Sequence, residues 1–383
     1  MNPWKFWCYT FVLCIGMAAS QFDSGMSGNR RVVVQLFEWP FNAVKEECKN
    51  FLGPQQFGAV LVCVFFLLLI LHDHRFNVLI ITDVNRVYVD TVLNHGVSHD
   101  AGQPNGDVVG VGGTRANVKR KQYPGLGYDD RNFHKSCYCD GSNRTAVRIC
   151  EIWGLQDVNQ TQSYVQDKIV RFMNKLIDYG VAGFRIDAAK HMWPEDLAQI
   201  FSKLKDVSLD GGKTRQRPFW ALEVVDDGSY QEEYKNLGSE YDFSLSGMVA
   251  TCFRWGSVRL VMNAFLLTFS RNTPNIFSGF GYKDTNEGPP VDRSENVMSP
   301  SQCTHPWTCE HRDKSIQWIV RYFTNVVKDA SIEKWWCEWD KEANQAAFQR
   351  GETGFAVFNA DTKSLSQTFQ VSFDVLSKVQ KRK

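Results

Sequence analysis

The stretch Gly183-Phe184-Arg185-Ile186-Asp187 constrains this chain more than any other. Apolar except for Arg185, it reads as a parallel β-strand buried on both faces, and it ends in a carboxylate. Ahead of it Val165, Ile169, Phe172 and Leu176 recur at helical spacing, with Gly180 closing the pattern. Behind it Trp193-Pro194 opens a second helical run through Leu197, Ile200, Phe201 and Leu204. Helix, strand and helix in that order belong to α/β folds with a parallel sheet. In barrels of that kind an acid at a strand's carboxyl end faces the catalytic mouth. An isolated Asp beside an Arg also reads as a structural ion pair.

The rest of the chain supplies more strands of the same kind. Val32-Val33-Val34-Gln35-Leu36-Phe37-Glu38-Trp39 is β-rich and leads into a helical stretch through Val44, Cys48 and Phe51. Phe57-Gly58-Ala59-Val60 begins a second strand, and residues 61–71 then form an unbroken apolar run. The 13 residues from Ala59 to Leu71 fall short of the ~20 a bilayer requires. A buried strand pair and read-through of non-coding sequence both remain open for residues 62–85. Arg86-Val87-Tyr88-Val89-Asp90-Thr91-Val92-Leu93-Asn94-His95 is a third strand with polar residues at its end. Residues 96–159 lose periodicity among Gly, Asn, Asp and Pro, and an excursion of that length predicts a small domain or a functional loop. Phe219-Trp220-Ala221-Leu222-Glu223-Val224-Val225-Asp226 is another strand ending in an acid.

Composition bounds the partners. The chain has 383 residues, 43% apolar and 22% charged, enough for a large core and two or three domains. A net charge of +1 creates no field that would gather nucleic acid. Residues 1–20 read as a secretory leader, with Lys5, an apolar stretch over 6–17, and Ala18-Ala19-Ser20 at the cleavage site. Its removal takes Cys8 and Cys14 from the eleven cysteines and leaves an odd number in an oxidising compartment, where pairing is expected. The sequons Asn143-Arg144-Thr145 and Asn159-Gln160-Thr161 accord with secretion.

Gly183 to Asp187, continued by Ala188-Ala189-Lys190-His191-Met192-Trp193-Pro194, is similar to the fourth-strand signature of the α-amylase family, specifically the secreted digestive enzymes of animals. Leu36-Phe37-Glu38-Trp39, the strand ending Asn94-His95, and Glu223-Val224 with Asp226 match further family motifs. The resemblance implies a (β/α)8 TIM-type barrel, incomplete here, over residues 21–95 and 160–330. It also implies an inserted calcium-binding domain at 96–159 and a truncated C-terminal β-sandwich at 331–383. Asp187 would be the nucleophile and Glu223 the general acid/base of a retaining α-amylase cleaving internal α-1,4-glucosidic bonds. His95, Lys190 and His191 would contact substrate. Asn94, Asp157 and the carbonyls of Arg148 and His191 would hold calcium, an ion that takes six to eight oxygens in flexible geometry. Of the family's chloride site only Arg185 remains, and Asn275 stands where chloride-dependent members carry a basic ligand. Cys137 with Cys150 and Cys303 with Cys309 would form disulfides; zinc held by the Cys303 to His311 cluster is the alternative. Starch, glycogen and maltooligosaccharides are the implied partners of a secreted monomer that binds neither nucleic acid nor membrane.

One departure bears on chemistry. The family's seventh-strand motif, with its third acid and neighbouring His, does not occur; from Trp255 the sequence passes to the helical run of residues 258–265. Three readings follow. An active amylase would draw the third carboxylate from Asp226 or Asp242, a glucan-binding protein would keep the cleft without turnover, and a membrane-anchored barrel would use residues 61–71.

Overall fold

A computed structural model describes residues 20–26, 28–64, 86–101, 104–110, 113–225, 229–241, 259–283, 287–294, 296–337, 345–359 and 364–372. The leader, residues 65–85, Asp226 and Asp242 lie outside them.

Seven strands among these residues form one parallel sheet: β1 (Val33–Leu36), β2 (Ala59–Val64), β3 (Arg86–Val92), β4 (Gly183–Asp187), β5 (Phe219–Leu222), β6 (Ser239–Glu240) and β7 (Asn275–Phe280). They lie in the order β6-β5-β4-β3-β2-β1-β7, and the short antiparallel strand β8 (Trp307–Thr308) pairs with β7. This is a TIM-type barrel, incomplete among the described residues. Among the described residues β6 and β7 do not pair as strands, and the Asn275 amide donates to the Tyr241 hydroxyl at 3.3 Å across the seam between them.

Burial explains the strand sequences. β3 is buried along almost its whole length, as a strand between a packed lumen and a helical layer must be. The start of the apolar run belongs to the barrel, since residues 61–64 complete β2 between β1 and β3. No helix among the described residues is long and apolar enough to cross a membrane.

Several helices of the described residues pack apolar residues onto this sheet. Three of them are α1 (Phe41–Glu47), α2 (Ser163–Asp178) and α3 (Pro194–Ser202). On α2 the inward residues are Val165, Ile169, Phe172, Met173, Leu176 and Ile177. Its exit relies on Gly180 at φ +93, a conformation that L side chains resist. The inserted segment leaves β3 through a short antiparallel ribbon in which His95–Ser98 pairs with Leu155–Asp157. It also contains the helix Arg144–Ile149, capped by the Asn143 side chain, which loop-like composition concealed. Between β6 and β7 in sequence, α4 (Arg259–Phe269) packs against an antiparallel C-terminal sheet of Ile332–Cys337, Gln345–Arg350 and Gly354–Asn359.

Both expected disulfides are present, Cys137 with Cys150 and Cys303 with Cys309. The zinc alternative therefore fails, because the bond consumes the sulfurs of that cluster. His311 instead lies buried between the Ser278 hydroxyl at 2.6 Å and the Glu47 carboxylate at 2.8 Å. Cys48, Cys63 and Cys139 are free thiols.

Candidate active site

The parallel register sets Cys63, Asp90, Arg185 and Ala221 in one row across β2, β3, β4 and β5. Asp187 ends β4 two residues beyond Arg185, and Glu223 follows the last residue of β5. Arg185 draws these acids together. Its Nη1 donates to Asp90 Oδ1 at 2.6 Å and to Asp187 Oδ1 at 2.8 Å, while Nη2 reaches Glu223 Oε1 at 2.6 Å. The Tyr241 ring lies 5.5 Å from the guanidinium carbon. Directly after Asp187 the chain turns through Ala188 at φ +49, strain of about 1–2 kcal/mol for an L residue. The turn aims the Ala188 N–H at Glu223 Oε2, 2.9 Å away.

Three carboxylates share one cation, so they cannot all ionise at low cost. Burial pushes the Asp90 carboxyl up to about 7 against the pull of Arg185, and the charges of Asp187 and Glu223 push the same way. Glu223 is also raised, first by burial and then by Asp187, with Arg185 opposing. Burial works against the charge on Arg185 as well, but its three acids outweigh it and hold its proton more tightly. Glu223 is thus an acid inclined to keep its proton beside a carboxylate that contacts a cation, the pairing that general acid and nucleophile require.

A second centre joins the inserted segment to the barrel. His95 and Asp157 are cross-strand partners in the ribbon, which places Asn94 beside Asp157. Both are almost wholly buried, and Asn94 Oδ1 and Asp157 Oδ1 have no hydrogen-bond partner among the described residues. His134 Nδ1 contacts the other Asp157 oxygen at 2.5 Å, yet burial still raises this carboxyl to about 6. Two orphaned oxygens on a desolvated acid and an amide are what a hard cation satisfies. Arg148 and His191 are adjacent at the same junction. His191 Nδ1 bonds the Val147 carbonyl at 2.8 Å, and the Arg148 side chain donates to Glu233 at 2.5 Å and to Tyr234 at 3.3 Å. The Tyr234 hydroxyl in turn bonds the carbonyls of Lys190 and Met192 at 3.1 and 2.7 Å.

The predicted substrate contacts lie around these two centres. His95 is half-buried, and desolvation holds its imidazole below the ordinary value while the charge of Asp187 opposes. The Lys190 ammonium donates to the Val225 carbonyl at 2.9 Å and sits 4.7 Å from the Tyr230 ring centre. Sequence reading missed Asp90 and Tyr241 as partners of Arg185. For Asp90 the signal was there, an acid inside the apolar run Val87-Tyr88-Val89-Asp90-Thr91-Val92. Tyr241 depends on the seam, which local spacing does not reveal.

Comparisons with known proteins point one way. The alpha-amylase-related protein of Drosophila mauritiana is 32% identical over an alignment of 437 residues, covering 94% of this chain and 87% of the relative. Its Drosophila teissieri counterpart gives the same identity and coverage. The alignment is longer than the 383-residue chain, so these relatives contain stretches with no counterpart here. Among solved structures, alpha-amylase I from Eisenia fetida superposes with a TM-score of 0.78 at 24% identity, covering 91% of this chain and 87% of that one. A mutant of that enzyme, solved as a maltohexaose complex, superposes at 0.75, also at 24% identity, with coverage of 88% and 85%. An alpha-amylase from Malbranchea cinnamomea gives 0.58 at 12% identity, covering 86% of this chain and 85% of that one. No protein-family profile matches the chain.

Proposed function

The chain belongs to the α-amylase family of glycoside hydrolases, and from that premise we propose that it acts on internal α-1,4 bonds of glucans by a retaining mechanism. The observation behind this reading is the single guanidinium spanning Asp187 and Glu223 at the ends of adjacent strands. Neighbouring strands stand about 4.8 Å apart, which suits the 5–5.5 Å between carboxyl groups in retaining glycosidases.

Asp187 attacks the anomeric carbon and forms a glycosyl ester while Glu223 gives its proton to the departing glycosidic oxygen. Glu223 then takes a proton from water as the ester is hydrolysed. Both terminal nitrogens of Arg185 bond acids, Asp187 among them, so we assign it to the carboxylates in preference to chloride. Starch, glycogen and maltooligosaccharides are the substrates of this reading, which places the protein outside the cell; the maltohexaose complex of the Eisenia fetida enzyme supports the substrate class.

Trapping tests the assignment. Incubation with a fluorinated maltosyl donor that forms the ester quickly and releases it slowly should add one glycosyl mass to the peptide containing Asp187. An adduct on any other acid, or none at any donor concentration, refutes it.

For calcium the same reading takes Asn94, Asp157 and the carbonyls of Arg148 and His191. The bound ion would neutralise a buried acid and cross-link the insert to β3 and the turn after β4. Binding to the folded state alone adds RT ln(1 + [L]/Kd) to stability, about 2.7 kcal/mol at a hundredfold excess over Kd. A chelator should therefore lower the thermal midpoint and added calcium restore it. An unchanged midpoint removes calcium from the proposal.

The seam between β6 and β7 favours a second reading, a glucan-binding protein of impaired turnover. Such a protein keeps the Arg185 cluster, and the sequence carries no counterpart of the motif with which the family presents its third acid.

A further inference from the structure

Trp153 occupies a position that protein stability alone does not explain. It is 88% exposed, as is Tyr138, and no large apolar residue described is more so. Its backbone is left-handed, φ +49 and ψ +31, within the short turn Ile152–Gly154, and Gly154 follows at φ +76. Glycine or asparagine takes that conformation readily; a bulky side chain does not. The turn is nonetheless fixed. The Gly154 carbonyl accepts from the His99 backbone N–H at 3.0 Å and lies 3.0 Å from its ring Nδ1, and a Cβ on Gly154 would meet the His99 ring at 2.7 Å. A strained, rigid turn thus carries to its apex an indole that buries almost nothing in return.

Its place in the fold gives the indole a use. The ribbon of His95–Ser98 and Leu155–Asp157 has one end at His95, three residues beyond Val92, the register partner of Asp187, and carries His99 and the Trp153 turn at the other. Four residues of strand separate the two ends, about 13 Å at 3.3 Å per residue. Tyr138 lies alongside, bridged to Glu151 at the base of the turn and held by the Cys137–Cys150 disulfide. A pyranose ring offers a flat face of C–H groups with hydroxyls around its rim. A rigid, exposed indole covers that face and leaves the hydroxyls in water.

We propose that Trp153, flanked by Tyr138, is a stacking platform for the distal part of an α-glucan whose reacting bond lies at Asp187 and Glu223. It rests on the glucan-hydrolase reading above and adds a preference for chains long enough to span the ribbon.

Calorimetric titration of maltoheptaose and maltotriose tests this, in full-length Glu223→Gln protein so that the sugar survives. Trp153→Asn should weaken maltoheptaose about tenfold and leave maltotriose unchanged. Its thermal midpoint should hold or rise, because asparagine relieves the left-handed strain. Trp153→Phe should recover most of the affinity. Unaltered maltoheptaose affinity in Trp153→Asn overturns the platform and leaves the acid pair standing. Equal loss of both sugars together with a lowered midpoint makes Trp153 structural, which also overturns it. Failure of the parent protein to bind either sugar overturns the platform and the glucan reading together.

Discussion

Assayed for reducing sugar on soluble starch, this chain should turn over at least 10²- to 10³-fold more slowly than an α-amylase with a complete barrel. The third acid of the family acts on positive charge that develops only in the transition state, so its loss falls on the rate more than on binding. One preorganised electrostatic group of that kind is typically worth about 10²- to 10³-fold. Among the described residues β6 and β7 also stay unpaired, so the lumen is not closed by strand hydrogen bonds there. Displacement of the acids by roughly 1 Å costs up to a further 10²-fold. Turnover within tenfold of an intact relative would show that another carboxylate has taken over. Asp226→Asn and Asp242→Asn would then identify it.

The second large effect is expected from Arg185→Leu, which should cost about 3–5 kcal/mol in urea unfolding at pH 7 by leaving buried carboxylates without their cation. The pH dependence separates this from simple loss of packing. The folded-state value of Asp90 already lies above its ordinary one, at about 7 against 3.8. A group raised on folding contributes stability that is fully present below its unfolded value and is lost as pH rises through the folded one. Without Arg185 the acids climb further, so the deficit should be smallest near pH 4 and widen through pH 7. A deficit equal at both ends would mean that Arg185 only fills space.

Much of the barrel was legible because parallel strands announce themselves. Two-sided burial makes β3, β4 and β5 apolar runs, and the acids break those runs where the solvent-facing mouth begins. The same rule made residues 61–71 ambiguous, since an apolar run reads alike as strand, helix or anchor until its neighbours are known. Register supplied them: Leu61 and Val62 pair with β1, and residues 61–64 pair with β3. Asp90 was visible in sequence, but its bond to Arg185 spans 95 residues, a distance no local pattern encodes. The helix Arg144–Ile149 was hidden because its cap, Asn143, also reads as a turn and a sequon. Trp153 was hidden for the opposite reason: it lies next to a glycine in a loop, and only the backbone angles show that its position is strained.

The pairing of β1 has a consequence for biosynthesis. Its partner on one side, β7, is made about 240 residues later. At 5 to 20 residues per second a ribosome needs roughly ten seconds to a minute for that stretch. Throughout that interval the nascent chain holds strand donors and acceptors on β1 that have nothing native to bond, beside apolar side chains awaiting their lumen. Chaperone occupancy on the ribosome, more than the stability of the finished barrel, should therefore govern how much folded protein a cell obtains from this sequence.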